Sequence, residues 1–166
     1  MMTKTVTTII NILYVTVVVL FLFDRQSHFE IKSQFIKSFV YLGLLIGTPF
    51  VLIWNVFVFK TRRRKILGLM LPILILILIF IIGPLKILFS ASAWRTQTIL
   101  YQNGNLSFKK VEFQMQDNGA LGYHRRTIEV LYLTPLFMIV NAVPPDIDKH
   151  VEWVKVNKEI NEFGLK

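Results

Sequence analysis

Three uninterrupted apolar stretches dominate the first half of the chain: Val6 to Phe23, Phe39 to Phe59 and Ile66 to Leu85. None of them contains Asp, Glu, Lys, Arg or His. Each fits the roughly 17 to 25 residues that a helix needs to cross a hydrocarbon core of about 30 Å. The run PILILILIFII, Pro72 to Ile82, is rich in β-branched residues and by composition alone would suit a buried strand. Length decides against a strand, since strands seldom exceed about ten residues. In lipid, a helix also satisfies every backbone polar group within its own segment. The pattern therefore predicts three transmembrane helices in a region spanning residues 1–90.

From Trp94 the pattern changes to short alternating runs separated by turn residues, which places a domain boundary at about Ser90 to Trp94 and a second domain over residues 91–166. A first strand is predicted over 95–102, followed by Asn103-Gly104-Asn105, a tight-turn signal. A second covers 106–116, where Val111, Phe113 and Met115 alternate with Glu112, Gln114 and Gln116, as in a strand with one face buried. Leu106 and Phe108 fall in the opposite phase, so a bulge or bend is expected near Lys109-Lys110. Asn118-Gly119 turns the chain into a third strand, 123–133, and Pro135 separates this from a fourth, 136–143. Beyond Pro144-Pro145, the composition of 146–163 suggests a helix with acidic residues at its start. Its apolar positions divide between two faces, Ile147, Val151 and Val154 against Trp153, Val156, Ile160 and Phe163. Either one helix is sandwiched between two apolar surfaces, or it breaks near Trp153 and part of it is a strand; the single helix is the reading adopted. The fold class that results is membrane α+β, with three transmembrane helices followed by a small extracytoplasmic antiparallel β-sheet domain and a C-terminal helix.

Composition supports the membrane reading, because 54% of the 166 residues are hydrophobic. Charge adds an orientation. The formal net charge is +9, and up to residue 90 ten Lys and Arg face only Asp24 and Glu30. Five of those ten, Lys60, Arg62, Arg63, Arg64 and Lys65, lie in the run KTRRRK between the second and third spans. A basic run between two apolar segments is a topology signal, and it also suits contact with anionic lipid. Nucleic acid is not expected as a partner. The run outweighs Arg25, Lys32 and Lys37 of the first loop, so the turn between spans two and three is predicted to be cytoplasmic. The N-terminus is then inside, while the 24–38 loop and everything after span three lie outside a cell (inner) membrane crossed several times. Trp94 would sit at the outer interface, where an amphipathic indole is favoured.

The first span ends in FLFDRQSH, without small residues at a cleavage position, so it reads as a retained anchor. Ser90 to Ala93, SASA, has an A-x-A pattern but reads as a short exit from the membrane. Polar residues in the spans are mild: Thr7, Thr8, Asn11 and Thr16 in the first, Thr48 and Asn55 in the second. Asn11 and Asn55 suit interhelical hydrogen bonds rather than a transport pathway. Gly43 and Gly47 form a G-x-x-x-G pattern that allows close backbone approach, within the chain, to a second copy or to a partner's helix. Pro49, Pro72 and Gly83-Pro84 are candidate bends or stops.

Candidate chemistry is sparse. The chain has no Cys, which excludes disulfides and thiolate sites. Asp146, Asp148 and His150 would converge on a cation only if they lay on a strand; a helix start disperses them, and no metal or other cofactor is expected. His124, Arg125 and Arg126 follow a glycine-containing loop and are candidate contacts for a phosphate or carboxylate ligand. His28 and Glu30 have no evident partner, and no hydrolase, protease, nucleotide or dinucleotide signature occurs. No catalytic residues are assigned. The expectation is a non-enzymatic membrane protein that presents its outer domain for protein interaction, in an accessory or immunity-like role, with a membrane-protein partner or a second copy of itself. The alternative is a subunit of an oligomeric transporter or channel.

Overall fold

The computed structural model describes residues 2–149 and 151–164. It contains three long helices, α1 (Met2–Gln26), α2 (Gln34–Val58) and α3 (Arg62–Ile82), then a short α4 (Pro84–Phe89). Six strands make up one sheet: β1 (Phe29–Ile31), β2 (Arg95–Asn103), β3 (Lys109–Asp117), β4 (Tyr123–Thr134), β5 (Phe137–Asn141) and β6 (Trp153–Glu159). The chain divides into two compact units, one of residues 1–22 and 38–91, the other of residues 23–37 and 92–166.

In the helical unit, Lys4–Gln26, Gln34–Val58 and Arg62–Ile82 are each long and apolar enough to cross a membrane, judged by length and composition. Tyr14, Val17, Val18 and Phe21 of α1 recur every three or four residues and are buried, as are Val40, Tyr41, Leu44 and Val51 of α2. This is the spacing of a single helix face. Large apolar side chains such as Ile12, Ile46, Phe57, Phe80 and Ile81 point outward, whereas Thr7, Thr48 and Asn55 are buried. That distribution suits a lipid exterior, where packing and interhelical hydrogen bonds hold helices together. Tyr14 and Thr48 share a hydrogen bond of 3.1 Å, and the edge of one ring meets the face of the other where Phe21 lies 5.1 Å from Tyr41. Helices α2 and α3 run through Pro49 and Pro72. The stop comes at Gly83, whose φ of 92° favours glycine, and Pro84 opens α4.

The sheet is antiparallel, in the order β1-β5-β4-β3-β2-β6. The β3–β4 hairpin pairs without a break from Lys109↔Leu131 to Asp117↔Tyr123. At its turn the Asp117 carboxylate accepts the Gly119 N–H at 2.8 Å. At the β2–β3 connection the Asn103 side chain accepts the Asn105 and Leu106 N–H groups at 3.0 and 2.9 Å.

Three features depart from expectation. The bulges lie on β2, not near Lys109-Lys110: an extra residue sits between Thr96 and Thr98 and another between Ile99 and Tyr101. Leu106 and Phe108 are out of phase with β3 because they precede it, in the exposed connection. Among the described residues of 146–163 the expected single C-terminal helix is absent. A 3-10 turn at Ile147–Lys149 leads instead to β6, which pairs with β2. Trp153 completes an apolar cluster with Val111 and Ile147, and the free edge of β2 satisfies the β6 backbone. A helix with two apolar faces would have needed two surfaces to cover it. Between Lys155 and Lys158 the strand carries one residue more than β2 opposite, and Asn157 takes up the bend at φ 46°. Finally, Phe29–Ile31, inside the first interhelical loop, pairs with β5 and extends the sheet to its other edge.

Candidate functional site

Alternation along β3 and β4 places Glu112, Gln114, Arg126, Ile128, Val130 and Tyr132 on one sheet face, and there the polar side chains are sequestered. Glu112 is 1% exposed and Gln114 0%. An unpaired buried carboxylate would be costly, but Glu112 is surrounded by donors. Tyr132 donates at 2.9 and 3.0 Å, Thr96 at 2.7 Å and Gln114 at 2.9 Å. The Thr96 hydroxyl in turn accepts from the Lys32 ammonium at 2.8 Å, and Lys32 pairs with Glu162 at 2.8 Å. Burial, and then the Glu112 carboxylate, push the Tyr132 phenol well above its ordinary pKa.

Arg126 occupies the other end of this network. Its guanidinium donates to both Glu30 oxygens, at 2.7 and 2.5 Å, and to the Gln114 carbonyl, and lies 4.0 Å above the Trp94 ring. This is a bidentate pair stacked on an aromatic, a role that Lys cannot fill. His28 meets the Val140 carbonyl at 2.8 Å through Nδ1. Asp24 accepts the Ile31 N–H at 2.7 Å and pairs with Lys37 at 3.2 Å, both side chains nearly inaccessible. His28, Glu30 and Lys32 thus hold β1 and its flanks against the sheet, while Asp24 and Lys37 brace the loop itself. His28, Glu30 and Lys32 had no partner visible in the sequence because theirs lie 64 to 130 residues away.

The residues singled out from the sequence separate. Arg126 is engaged with Glu30, Gln114 and Trp94; Arg125, one residue earlier, lies on the opposite face and is exposed, as is His124. The three do not converge on one point. Asp148 accepts a hydrogen bond from Tyr101 at 2.8 Å, which raises the Tyr101 phenol above its usual range; His150 lies outside the described residues. Among the described residues no group of three His, Asp or Glu is placed to hold a metal ion. Trp94, expected at a membrane interface, packs against the cluster of Val130, Met138 and Val140.

In the helical unit, Gly43 faces Val17 and Gly47 faces Tyr14, with a Cβ at either position reaching ordinary contact at 3.6 and 3.9 Å. The G-x-x-x-G pattern therefore packs against α1 of the same chain. Asn11 and Asn55 exchange hydrogen bonds at 3.2 and 3.0 Å, and Asn55 also donates to the Gly68 carbonyl at 2.8 Å, joining three helices. Lys60 and Arg62 to Arg64 are exposed around the α2–α3 turn, with Lys65 half-buried.

Hydrophobic residues are exposed at one end of the sheet. Leu106 and Phe108 of the β2–β3 connection, and Leu133 and Leu136 at the β4–β5 turn, are 41 to 52% exposed. The Tyr132 N–H donates to the Phe108 carbonyl, which ties the two connections together. Between them is a pocket of about 490 Å³, lined by Phe108, Lys110, Tyr132, Thr134 and Pro135. Sequence reading missed it because Leu106 and Phe108 were assigned to a strand. No family model matches the chain, no curated protein matches its sequence, and no solved structure matches its fold.

Proposed function

We propose that this chain is a non-enzymatic membrane protein that holds the six-stranded domain outside the membrane for contact with another envelope or membrane protein, in an accessory or immunity-like role. The observation that carries the reading is the apolar end of the sheet, where Phe108 and Pro135 line an open pocket and Leu106, Leu133 and Leu136 are exposed at the same end. Exposed apolar groups around a concave site favour a partner surface. The neighbouring ionisable groups are bonded to one another, Glu112 to Tyr132, Thr96 and Gln114, and Arg126 to Glu30. That makes the domain a rigid platform and supports a binding role over a catalytic one.

Connectivity supports the orientation. β1 joins α1 to α2, β2 follows the third helix, and both strands belong to one sheet. If the helices span, the end of α1, the start of α2 and the end of α3 must open on the same side. The basic α2–α3 turn is then on the other, cytoplasmic side. A photo-crosslinking residue at position 108 of the full chain in its native membrane should yield an adduct with a second protein, and one at position 125 should not. Recovery of lipid adducts or of the uncrosslinked chain alone from position 108 would remove the basis for the reading.

A further inference from the structure

The helical unit, residues 1–22 and 38–91, contains seven Lys and Arg and no Asp or Glu. Its cations therefore have no carboxylate within the unit to neutralise them. Three of the seven, Lys4, Lys60 and Arg64, converge on a cleft of about 960 Å³ between α1 and the α2–α3 turn. The volume is that of a small-molecule site.

The cleft changes character along its length. On α1 the lining positions Lys4, Thr8, Asn11 and Val15 recur every three or four residues, the spacing of one helix face. From Lys4 to Val15 that face rises about 16 Å. The mouth carries the three cations and the hydroxyls of Thr8 and Thr61, while the outward-facing, exposed side chains of Ile12, Val15 and Leu67 give the cleft an apolar flank. Asn11, which lines the cleft, bonds through its amide to Asn55 and to the Thr7 carbonyl, so its polar groups are satisfied.

We infer that this cleft binds an anionic phospholipid, with the headgroup phosphate held by Lys4, Lys60 and Arg64 and an acyl chain along Ile12, Val15 and Leu67. Three cations on one cleft favour an anion; the exposed apolar flank contiguous with them favours an amphiphile over a free phosphate. The site is narrower than the general attraction of a polybasic segment to an anionic leaflet, because Arg62, Arg63 and Lys65 of the same run are not part of its lining. The claim concerns the helical unit and is independent of the partner proposed for the sheet.

Native mass spectrometry of the purified full chain, titrated in detergent with phosphatidylglycerol or phosphatidylcholine, tests the inference. One phosphatidylglycerol should be retained at concentrations at least tenfold below those needed for phosphatidylcholine. Lys60→Gln with Arg64→Gln should weaken retention at least tenfold. The same change at Arg62 and Arg63, which preserves the charge count of the comparison, should alter it less than twofold. Val15→Phe, which adds bulk to the apolar flank and leaves the cations in place, should also lower retention. Millimolar inorganic phosphate should not displace the lipid. Equal retention of both lipids, equal loss from the two double variants, or displacement by phosphate would each overturn the assignment.

Discussion

Glu112 shows how far a single position can depart from its local pattern. On an alternating strand, a glutamate between Val111 and Phe113 belongs on the solvent face, yet it is among the most buried residues of the sheet. Its burial depends on donors from β2, β3 and β4, Thr96, Gln114 and Tyr132. Tyr132→Phe leaves the carboxylate one donor short, and a hydrogen bond to a charged group contributes about 1.5–3 kcal/mol. The variant should melt earlier at neutral pH by a corresponding amount, followed by intrinsic fluorescence in detergent. Because the folded state holds the phenol proton more tightly than the unfolded chain, this contribution is complete below the ordinary tyrosine pKa of about 10 and declines as pH rises toward the folded value. The gap between wild type and Tyr132→Phe should therefore narrow above about pH 10; a constant or widening gap would contradict the proposed linkage.

Among elements, the three long helices and the β3–β4 hairpin were legible because each carries its own signal. The helices do so through uninterrupted apolar length, and the hairpin through alternation around Asn118-Gly119. Two strands lacked such a signal. β1 has three residues, too few to show a period, and exists because β5 offers it an edge. β6 is exposed at every position except Trp153, so the short alternation of Val154 and Val156 with Lys155 and Asn157 marks no buried face. Helix contacts were partly legible: Asn11 and Asn55 do bond across helices, but Gly43 and Gly47 could have served several partners, and the structure turns them toward α1. Since a Cβ at either glycine meets only ordinary contacts, Gly43→Ala and Gly47→Ala should each change helix stability by less than about 0.5 kcal/mol. Asn55→Ala severs the link to Asn11 and Gly68 and should cost about 1–2 kcal/mol. Thermal melting of the helical circular dichroism in detergent distinguishes these outcomes, and the reverse order would show that the glycines serve a tighter interface than the α1 contact.

For the whole molecule, the central prediction is topological. The chain has no cysteine, so a single introduced thiol reports without background. Ser107 and Thr61 are both exposed, Ser107 in the sheet domain and Thr61 at the α2–α3 turn. A membrane-impermeant maleimide should label Ser107→Cys in intact cells and Thr61→Cys only after permeabilisation. The opposite pattern would invert the orientation and place the sheet inside.

The amino-acid sequence by itself determined three segments able to span a bilayer, a basic turn between two of them and the central hairpin of a sheet. Each follows from apolar content, charge or alternation within a short window, where neighbours in the chain are also neighbours in space. Tertiary structure alone decided that the first loop supplies an edge strand, that the tail closes the opposite edge as β6, that Glu112 is buried among donors and that Glu30, half-buried, is paired with Arg126. These outcomes depend on pairing between residues up to 130 positions apart. Whether a polar side chain is a surface group or part of a core network is set by which distant strand arrives beside it, and no local periodicity records that.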